Sequence, residues 1–152
     1  MKYRLFIDTN VFVEYYEKRA QFESVRTLFN MLEDGACYGV ISIGSFYTLS
    51  YILDHELRRK DCRDPERTRI VRAVLHHTLE LVDVAASNRE TLLRGVSDTS
   101  FRDIEDSFQH QAALSSECDF IITLNAKDFS SSKVQVMSPV EFVERWNLTA
   151  KK

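Results

Sequence analysis

Residues 101–129 read FRDIEDSFQHQAALSSECDFIITLNAKDF and join a helix-forming segment to an apolar strand. We predict a helix over about 102–116 and a strand over 120–124. A helix that leads directly into an apolar strand is the repeating unit of proteins in which helices cover both faces of a mainly parallel sheet. This stretch therefore favours an α/β fold.

Acidic residues crowd the same stretch. Asp103, Glu105 and Asp106 open the helix, and Asp128 lies just beyond the strand. Neighbouring carboxylates repel one another unless they are protonated or neutralised by a cation. Two interpretations follow: the acids cap a helix, or they belong to a cation site that other parts of the chain complete.

The remaining chain repeats the pattern. We predict an α/β three-layer sandwich with a mainly parallel sheet of four or five strands, which lie at 3–7, 37–41, 81–84, 120–124 and, at an edge, 134–137. Helices are expected between them, and capping boxes are expected at Ser87 with Glu90 and at Ser138 with Glu141. An Asp64-Pro65 start signal opens a further helix.

Composition sets the class of protein. The 152 residues are 44% hydrophobic and 28% charged, which fits one domain over 1–148 with a short tail at 149–152. The net charge of −3 argues against a broad basic surface for nucleic acid. Three scattered cysteines and the lack of a leader or a membrane-length apolar run lead us to expect a cytoplasmic protein that does not enter a membrane.

Topology predicts that distant acids meet. In a parallel sheet, sites form beyond the carboxyl ends of the strands. Asp8 ends the first strand, Asn125 and Asp128 follow the fourth, and Asp106 lies one turn into the helix that leads into the fourth. Clustered carboxylates suit Mg²⁺ or Mn²⁺, which support phosphodiester hydrolysis. The structural alternative is that these residues serve only turns and caps.

Several motifs resemble one known family. FIDTNV at 6–11, IED at 104–106 and DFIITLNAKDF at 119–129 together look like a PIN domain, and SPVEF at 138–142 is similar to the ending of many members. The resemblance covers residues from about 3 to 142.

This resemblance implies a Mg²⁺- or Mn²⁺-dependent ribonuclease, most like the small VapC-type toxins of bacterial toxin–antitoxin pairs. It implies an RNA substrate, a small antitoxin protein as partner, and a homodimer. By position, Asp8, Asp106 and Asp128 are expected to be the catalytic, metal-binding acids. The residues expected to support them are Thr9, Asn10, Ser42, Thr48, Glu105, Thr123 and Asn125.

One position departs from the family pattern. Members of the PIN family usually have a glutamate six residues after the serine that corresponds to Ser42. In this chain that position is Thr48. Glu56 lies eight residues further on, about 12 Å along a helix, which makes it a poor substitute. Two readings stay open: a nuclease with weakened metal binding, and a PIN fold that binds RNA or protein without cutting. A receiver-like or flavodoxin-like domain is a remote third, disfavoured by the absence of a glycine-rich loop.

Three further features of the sequence have a structural interpretation and a functional one. The basic residues between 58 and 72 are interleaved with acids, so a solvated helix face is favoured over phosphate contact. His110 shares a helical face with Asp106, but a partly exposed structural histidine is the commoner case. The aromatic residues of the early helices indicate core packing, with an interface as the alternative.

Overall fold

A computed structural model describes residues 1–152 and contains one five-stranded sheet. All strand pairs are parallel, in the order β3-β2-β1-β4-β5. The strands are β1 (Arg4–Ile7), β2 (Tyr38–Ser42), β3 (Val82–Ala85), β4 (Phe120–Ile122) and β5 (Gln135–Met137). The predicted α/β fold and the edge position of the fifth strand are confirmed.

Seven helices flank the sheet. They are α1 (Thr9–Tyr16), α2 (Phe22–Glu33), α3 (Ile43–Arg59), α4 (Glu66–Leu81), α5 (Arg89–Ser97), α6 (Ile104–Ser115) and α7 (Pro139–Ala150). A short 3₁₀ turn, Ala126–Phe129, lies between β4 and β5. None of the helices combines the length and the apolar character that a membrane crossing requires.

Alternate residues of the central strands build two separate cores, which is why the strands are apolar throughout. Leu5 and Ile7 of β1 join the larger core, with side chains of α1, α2, α3, α4 and α7. Phe6, between them, joins the smaller core with side chains of α6. The sheet is therefore covered on both faces, which gives the predicted three layers.

Local signals explain most helix boundaries. Gly35 adopts the left-handed conformation with φ 65° just past the end of α2, where glycine is well suited to stop a helix. Ser138 and Glu141 form the expected capping box of α7. The box of α5 was predicted at the wrong residues, since Asn88 and Thr91 form it instead of Ser87 and Glu90. The amide side chain of Asn88 accepts from the Thr91 N–H and so competes successfully with the neighbouring serine.

Other predicted boundaries are shifted by one or two residues. Pro65 is the N-cap residue of α4 and not its first helical residue, although Asp64 accepts a hydrogen bond from the Thr68 N–H. β4 ends at Ile122, because the next residues turn toward the site described below. α7 continues to Ala150, into the segment 149–152 that was expected to be a tail.

Candidate active site

A cavity of about 340 Å³ opens at the carboxyl ends of β1 and β4, beside the start of α6. Acidic and polar side chains dominate its wall. The lining residues are Asp8, Thr9, Asn10, Val13, Arg19, Thr48, Ile52, Asp103, Glu105, Asp106, Gln109 and Asp128. The predicted convergence of Asp8, Asp106 and Asp128 at one edge of the sheet is what the structure contains.

Asp8 is the most deeply placed of these acids. Its backbone N–H continues the sheet by donating to the Ile122 carbonyl at 2.9 Å. Asp8 stands at the N-cap position of α1, yet its side chain forms no cap and instead accepts a 2.7 Å hydrogen bond from the Thr123 hydroxyl. Only 6% of the residue is exposed, and this burial raises the pKa of Asp8. The Thr123 hydrogen bond opposes that rise.

Asp106 lies in the first turn of α6, where it meets Asp8 across the cavity. Burial is the main reason why the pKa of Asp106 is raised to about 7, and the negative charges of Asp8, Asp103, Asp128 and Glu105 contribute to the same rise in that order of importance. A carboxyl group with so high a pKa lacks a compensating positive charge. The arrangement therefore favours a proton or a cation at this point.

Asp103 and Glu105 combine a structural and a local electrostatic role. Asp103 caps α6 by accepting a 2.7 Å hydrogen bond from the Glu105 N–H, as the capping interpretation predicts. Both side chains nevertheless line the cavity. The two interpretations of the acidic cluster are thus compatible.

The residues after β4 form a polar rim. Thr123 donates to Asp8 and accepts from the side chain of Asn10 at 3.3 Å, while Asn10 Oδ1 accepts from the Leu124 N–H. Asn125 Nδ2 donates to Asp128 Oδ2 at 2.5 Å, and both residues are exposed. Of the three acids expected to bind metal, Asp128 is therefore the exposed one, and it has its own amide partner.

Thr48 and Ser42 lie in different places. Thr48 is in the cavity wall, so its hydroxyl stands where the resemblance leads us to expect a carboxylate. Ser42 is outside: its hydroxyl caps α3 through the Ser45 N–H and lines a separate, mostly apolar cavity. Glu56 is also outside the lining and is bound to Arg59 at 2.8 Å, in line with its rejection as a substitute.

Sequence reasoning missed two polar residues of this wall. Gln109 lies three residues after Asp106, a spacing that could have indicated the shared face. Arg19 follows α1 and gave no signal. His110 does not reach the cavity. It is 1% exposed, packs on Phe101, and its Nε2 accepts from the Lys133 N–H, so it is a structural histidine that is buried and not partly exposed.

The donor set suits a hard cation but does not form a closed cage. No group of three or more His, Cys, Asp or Glu side chains is arranged to hold a metal ion. Mg²⁺ is commonly bound through only one or two carboxylates and keeps several waters. The wall also contains buried oxygens without a protein partner, Thr9 Oγ1 and Gln109 Oε1, that could meet such waters. Oxygen chemistry and unneutralised charge both fit a hydrated divalent ion.

Comparisons with known proteins agree with this geometry. A family model described as PIN domain matches residues 4–127. Ribonuclease VapC1 of Aquifex aeolicus (strain VF5) is 26% identical over 150 residues, which cover 95% of this chain and 96% of that protein.

Solved structures share the fold at low identity. The structure of VapBC2 from Rickettsia felis, bound to a DNA fragment from its promoter, matches with a TM-score of 0.65 at 12% identity, covering 89% of this chain and 98% of that one. VapBC-1 from nontypeable Haemophilus influenzae matches with a TM-score of 0.64 at 17% identity, covering 90% and 98%.

Proposed function

The chain belongs to the PIN domain family, and on that premise we propose that it is an endoribonuclease that hydrolyses RNA phosphodiester bonds and acts as the toxin of a type II toxin–antitoxin pair. The observation that carries the proposal is the acidic cavity, where the pKa of Asp106 rises to about 7 beside Asp8. The ribonuclease name of the Aquifex relative supports the same activity.

We assign a hydrated Mg²⁺ or Mn²⁺ to this cavity, with Asp8, Asp106 and Asp128 as the acids that would hold it, in part through bound waters, since no three of the acids form a ready-made cage. When bound, such an ion supplies an activated water at neutral pH and positive charge beside the phosphoryl oxygens. The high pKa of Asp106 supports the assignment, because a nearby cation favours the ionised carboxylate that burial and its neighbours disfavour. The oxygen-rich wall suits a hard ion and not a thiolate-binding one.

The chain's own polar residues would orient the reacting groups. Thr123 fixes one oxygen of Asp8, and Asn10 in turn holds Thr123. Asn125 holds Asp128 through its amide. Glu105 adds negative charge beside Asp8, and Arg19 offers a cationic contact for an RNA phosphate at the rim.

The direct test is cleavage of a labelled RNA by purified wild-type protein with Mn²⁺, with Mg²⁺ and with EDTA. We expect cleavage only with a divalent ion, and its loss in Asp8→Asn. The matched control is Asp83→Asn, an exposed carboxylate on β3 outside the cavity, which should cleave like wild type. Circular dichroism would establish that both variants fold. Equal cleavage by wild type and Asp8→Asn would contradict the proposal.

A second function is favoured by Thr48. With a hydroxyl in place of an acid, the site has fewer charges for an ion, and the protein could bind RNA or a protein partner without cutting. Wild type that binds labelled RNA but stays inert with Mn²⁺ would support this function. Gain of cleavage in Thr48→Glu would then identify the missing acid as the cause.

Partners follow from the same proposal. We assign a small antitoxin protein, as in the VapBC complexes that share the fold, and a homodimer. Supporting a protein interface, Ile43, Tyr47 and Tyr51 recur every four residues along α3 and are 46%, 68% and 70% exposed. Light scattering after size exclusion should give a dimer mass that Tyr47→Glu with Tyr51→Glu reduces to a monomer. With RNA as substrate, we assign the protein to the cytoplasm.

A further inference from the structure

Gln109 is a polar side chain buried in the wall of the acidic cavity. It lies on α6, three residues after Asp106, and is only 2% exposed. Glutamine is usually found at the surface, and burying an amide without hydrogen bonds is costly. The amide of Gln109 therefore needs hydrogen-bond partners, which the apolar side chains of the core do not provide.

The amino half of this amide faces the acids. Gln109 Nε2 donates to Asp106 Oδ1 over 3.4 Å. A hydrogen bond from Gln109 also lowers the pKa of Asp8, against the larger effect of burial. In the structure it is therefore the NH₂ group that points toward these acids, and this orientation suits carboxylates held ionised by a cation, which only accept hydrogen bonds. This fixes the orientation of the amide.

The carbonyl half is left without a partner. Gln109 Oε1 is buried and accepts no hydrogen bond from the protein, and the Thr9 hydroxyl in the same wall is also unpartnered. A buried acceptor without a partner costs free energy. A cavity of about 340 Å³ has room for several waters, which occupy buried sites where they find two to four polar partners.

We propose that Gln109 is a positioning residue: its NH₂ group fixes the Asp8 and Asp106 carboxylates in one orientation, and its free carbonyl oxygen orients a water molecule held beside them. Its effect on catalysis rests on the proposed function, whereas its effect on the two carboxylates does not. The side chain acts through these groups and needs no charge of its own.

The test compares Gln109→Met with Gln111→Met. Methionine keeps the length of the side chain and removes both polar ends. Gln111 is on the same helix but lines the separate apolar cavity, so its variant controls for helix and composition. Titration calorimetry with Mn²⁺ alone should show affinity reduced roughly 10-fold in Gln109→Met and unchanged in Gln111→Met. With RNA, kcat should fall roughly 10- to 100-fold at unchanged KM.

A purely structural role would instead lower the melting temperature of the metal-free protein and leave Mn²⁺ affinity intact. Equal Mn²⁺ affinity in both variants overturns the proposal. If Gln109→Met does not fold, Gln109→Asn, which withdraws the amide by one methylene, should reduce affinity in the same direction, and unchanged affinity there also overturns it. Wild type that binds Mn²⁺ without cleaving RNA contradicts the proposed function alone. Wild type that binds no Mn²⁺ contradicts both.

Discussion

Carboxylates in two regions of this molecule have opposite pKa shifts. At the α3–α4 connection, Arg67 lies 2.9 Å from Asp54 and 2.5 Å from Asp64, and Arg69 lies 2.6 Å from Glu66. Hydrogen bonds from Arg58 to Asp54, from Thr68 to Asp64 and from Arg69 to Glu66 are the main reasons why the pKa of each acid lies below its ordinary value. These acids already have their partners.

The acidic cavity presents the contrary case. Burial raises the pKa of both Asp8 and Asp106, and neighbouring acids add to the rise. The salt bridges of the connection involve none of the acids in the cavity. The same residue type is thus paired where the chain supplies a cation and stays without a salt bridge in the cavity, which is the difference on which the proposed metal site rests. This difference also supports the interpretation of the basic segment as a paired, solvated helix face.

The largest expected difference in activity is between two variants that each remove one carboxylate, one in the cavity and one at the connection. Asp106→Asn should reduce metal-dependent RNA cleavage roughly 1000-fold, since a metal site supplies several kcal/mol of transition-state stabilisation and each 1.36 kcal/mol is tenfold. Glu66→Gln, at the connection, should cleave within roughly twofold of wild type, as surface ion pairs contribute little. Initial rates on a labelled RNA with Mn²⁺ measure both. A similar loss of cleavage rate in Asp106→Asn and Glu66→Gln would show that the opposite pKa shifts of the two regions are unrelated to catalysis.

The pH dependence of stability should also separate the regions. Asp106 titrates near 7 when folded and near its ordinary 3.8 when unfolded, so its contribution is fully present below pH 3.8 and is lost as pH rises toward 7. The paired acids, with lowered pKa values, lose their contribution only as pH falls below their ordinary range.

Denaturant unfolding in EDTA at pH 5.5 and pH 8 measures this difference. The metal-free protein should lose on the order of 1–3 kcal/mol between the two, after allowance for the partial exposure of Asp106. Because histidines also titrate in this range, the informative quantity is the difference from Asp106→Asn, which should lack this loss. Mn²⁺ should stabilise wild type more at pH 8 than at pH 5.5. A wild-type pH dependence that persists in Asp106→Asn would assign it to another group.

The convergence of the acids could be predicted because it depends only on strand direction. Asp8 follows β1, and Asp106 opens the helix that leads into β4, so a parallel sheet brings both to the carboxyl edge. The rotation of α6 about its own axis could not be predicted in this way. It is set by α5, where Gly95 leaves room for Phe108 and accepts a 2.7 Å hydrogen bond from Ser107.

That packing explains the residues that were missed or misjudged. Spacing from Asp106 places Gln109 and His110 equally near its face of α6, so it cannot reveal that Gln109 lines the cavity while His110 is buried against Phe101 and Lys133. Both belong to contacts between segments that are distant in sequence. Asn88 displaced Ser87 as a cap for a simpler reason, because either residue type suits the position and local sequence does not rank them.

A smaller effect is expected from Arg67, the central cation of the connection. Arg67→Met should lower the melting temperature by about 3–6 °C, because this side chain is 12% exposed and its loss leaves Asp54 and Asp64 without a shared partner. The control, Arg69→Met, removes a side chain that is 68% exposed and should leave the melting temperature close to that of wild type. RNA cleavage should be unchanged in both. Reduced cleavage by folded Arg67→Met would instead indicate that this region contacts RNA.

The smallest effect on catalysis should come from Asn125. Its amide donates a hydrogen bond to Asp128, so this acid of the cavity has a side-chain donor, as the acids of the α3–α4 connection do. Asn125 Nδ2 holds Asp128 Oδ2 at 2.5 Å, but both side chains are exposed, so water can replace the lost hydrogen bond. Asn125→Ala should therefore lower kcat only about threefold, because water makes up most of what this exposed hydrogen bond to a carboxylate contributes. Ser131→Ala, an exposed change in the same loop, is the control. A loss of kcat as large as that in Asp106→Asn would mean that Asn125 itself binds the cation. The contrast between acids with and without a side-chain donor would then not explain the role of Asp128.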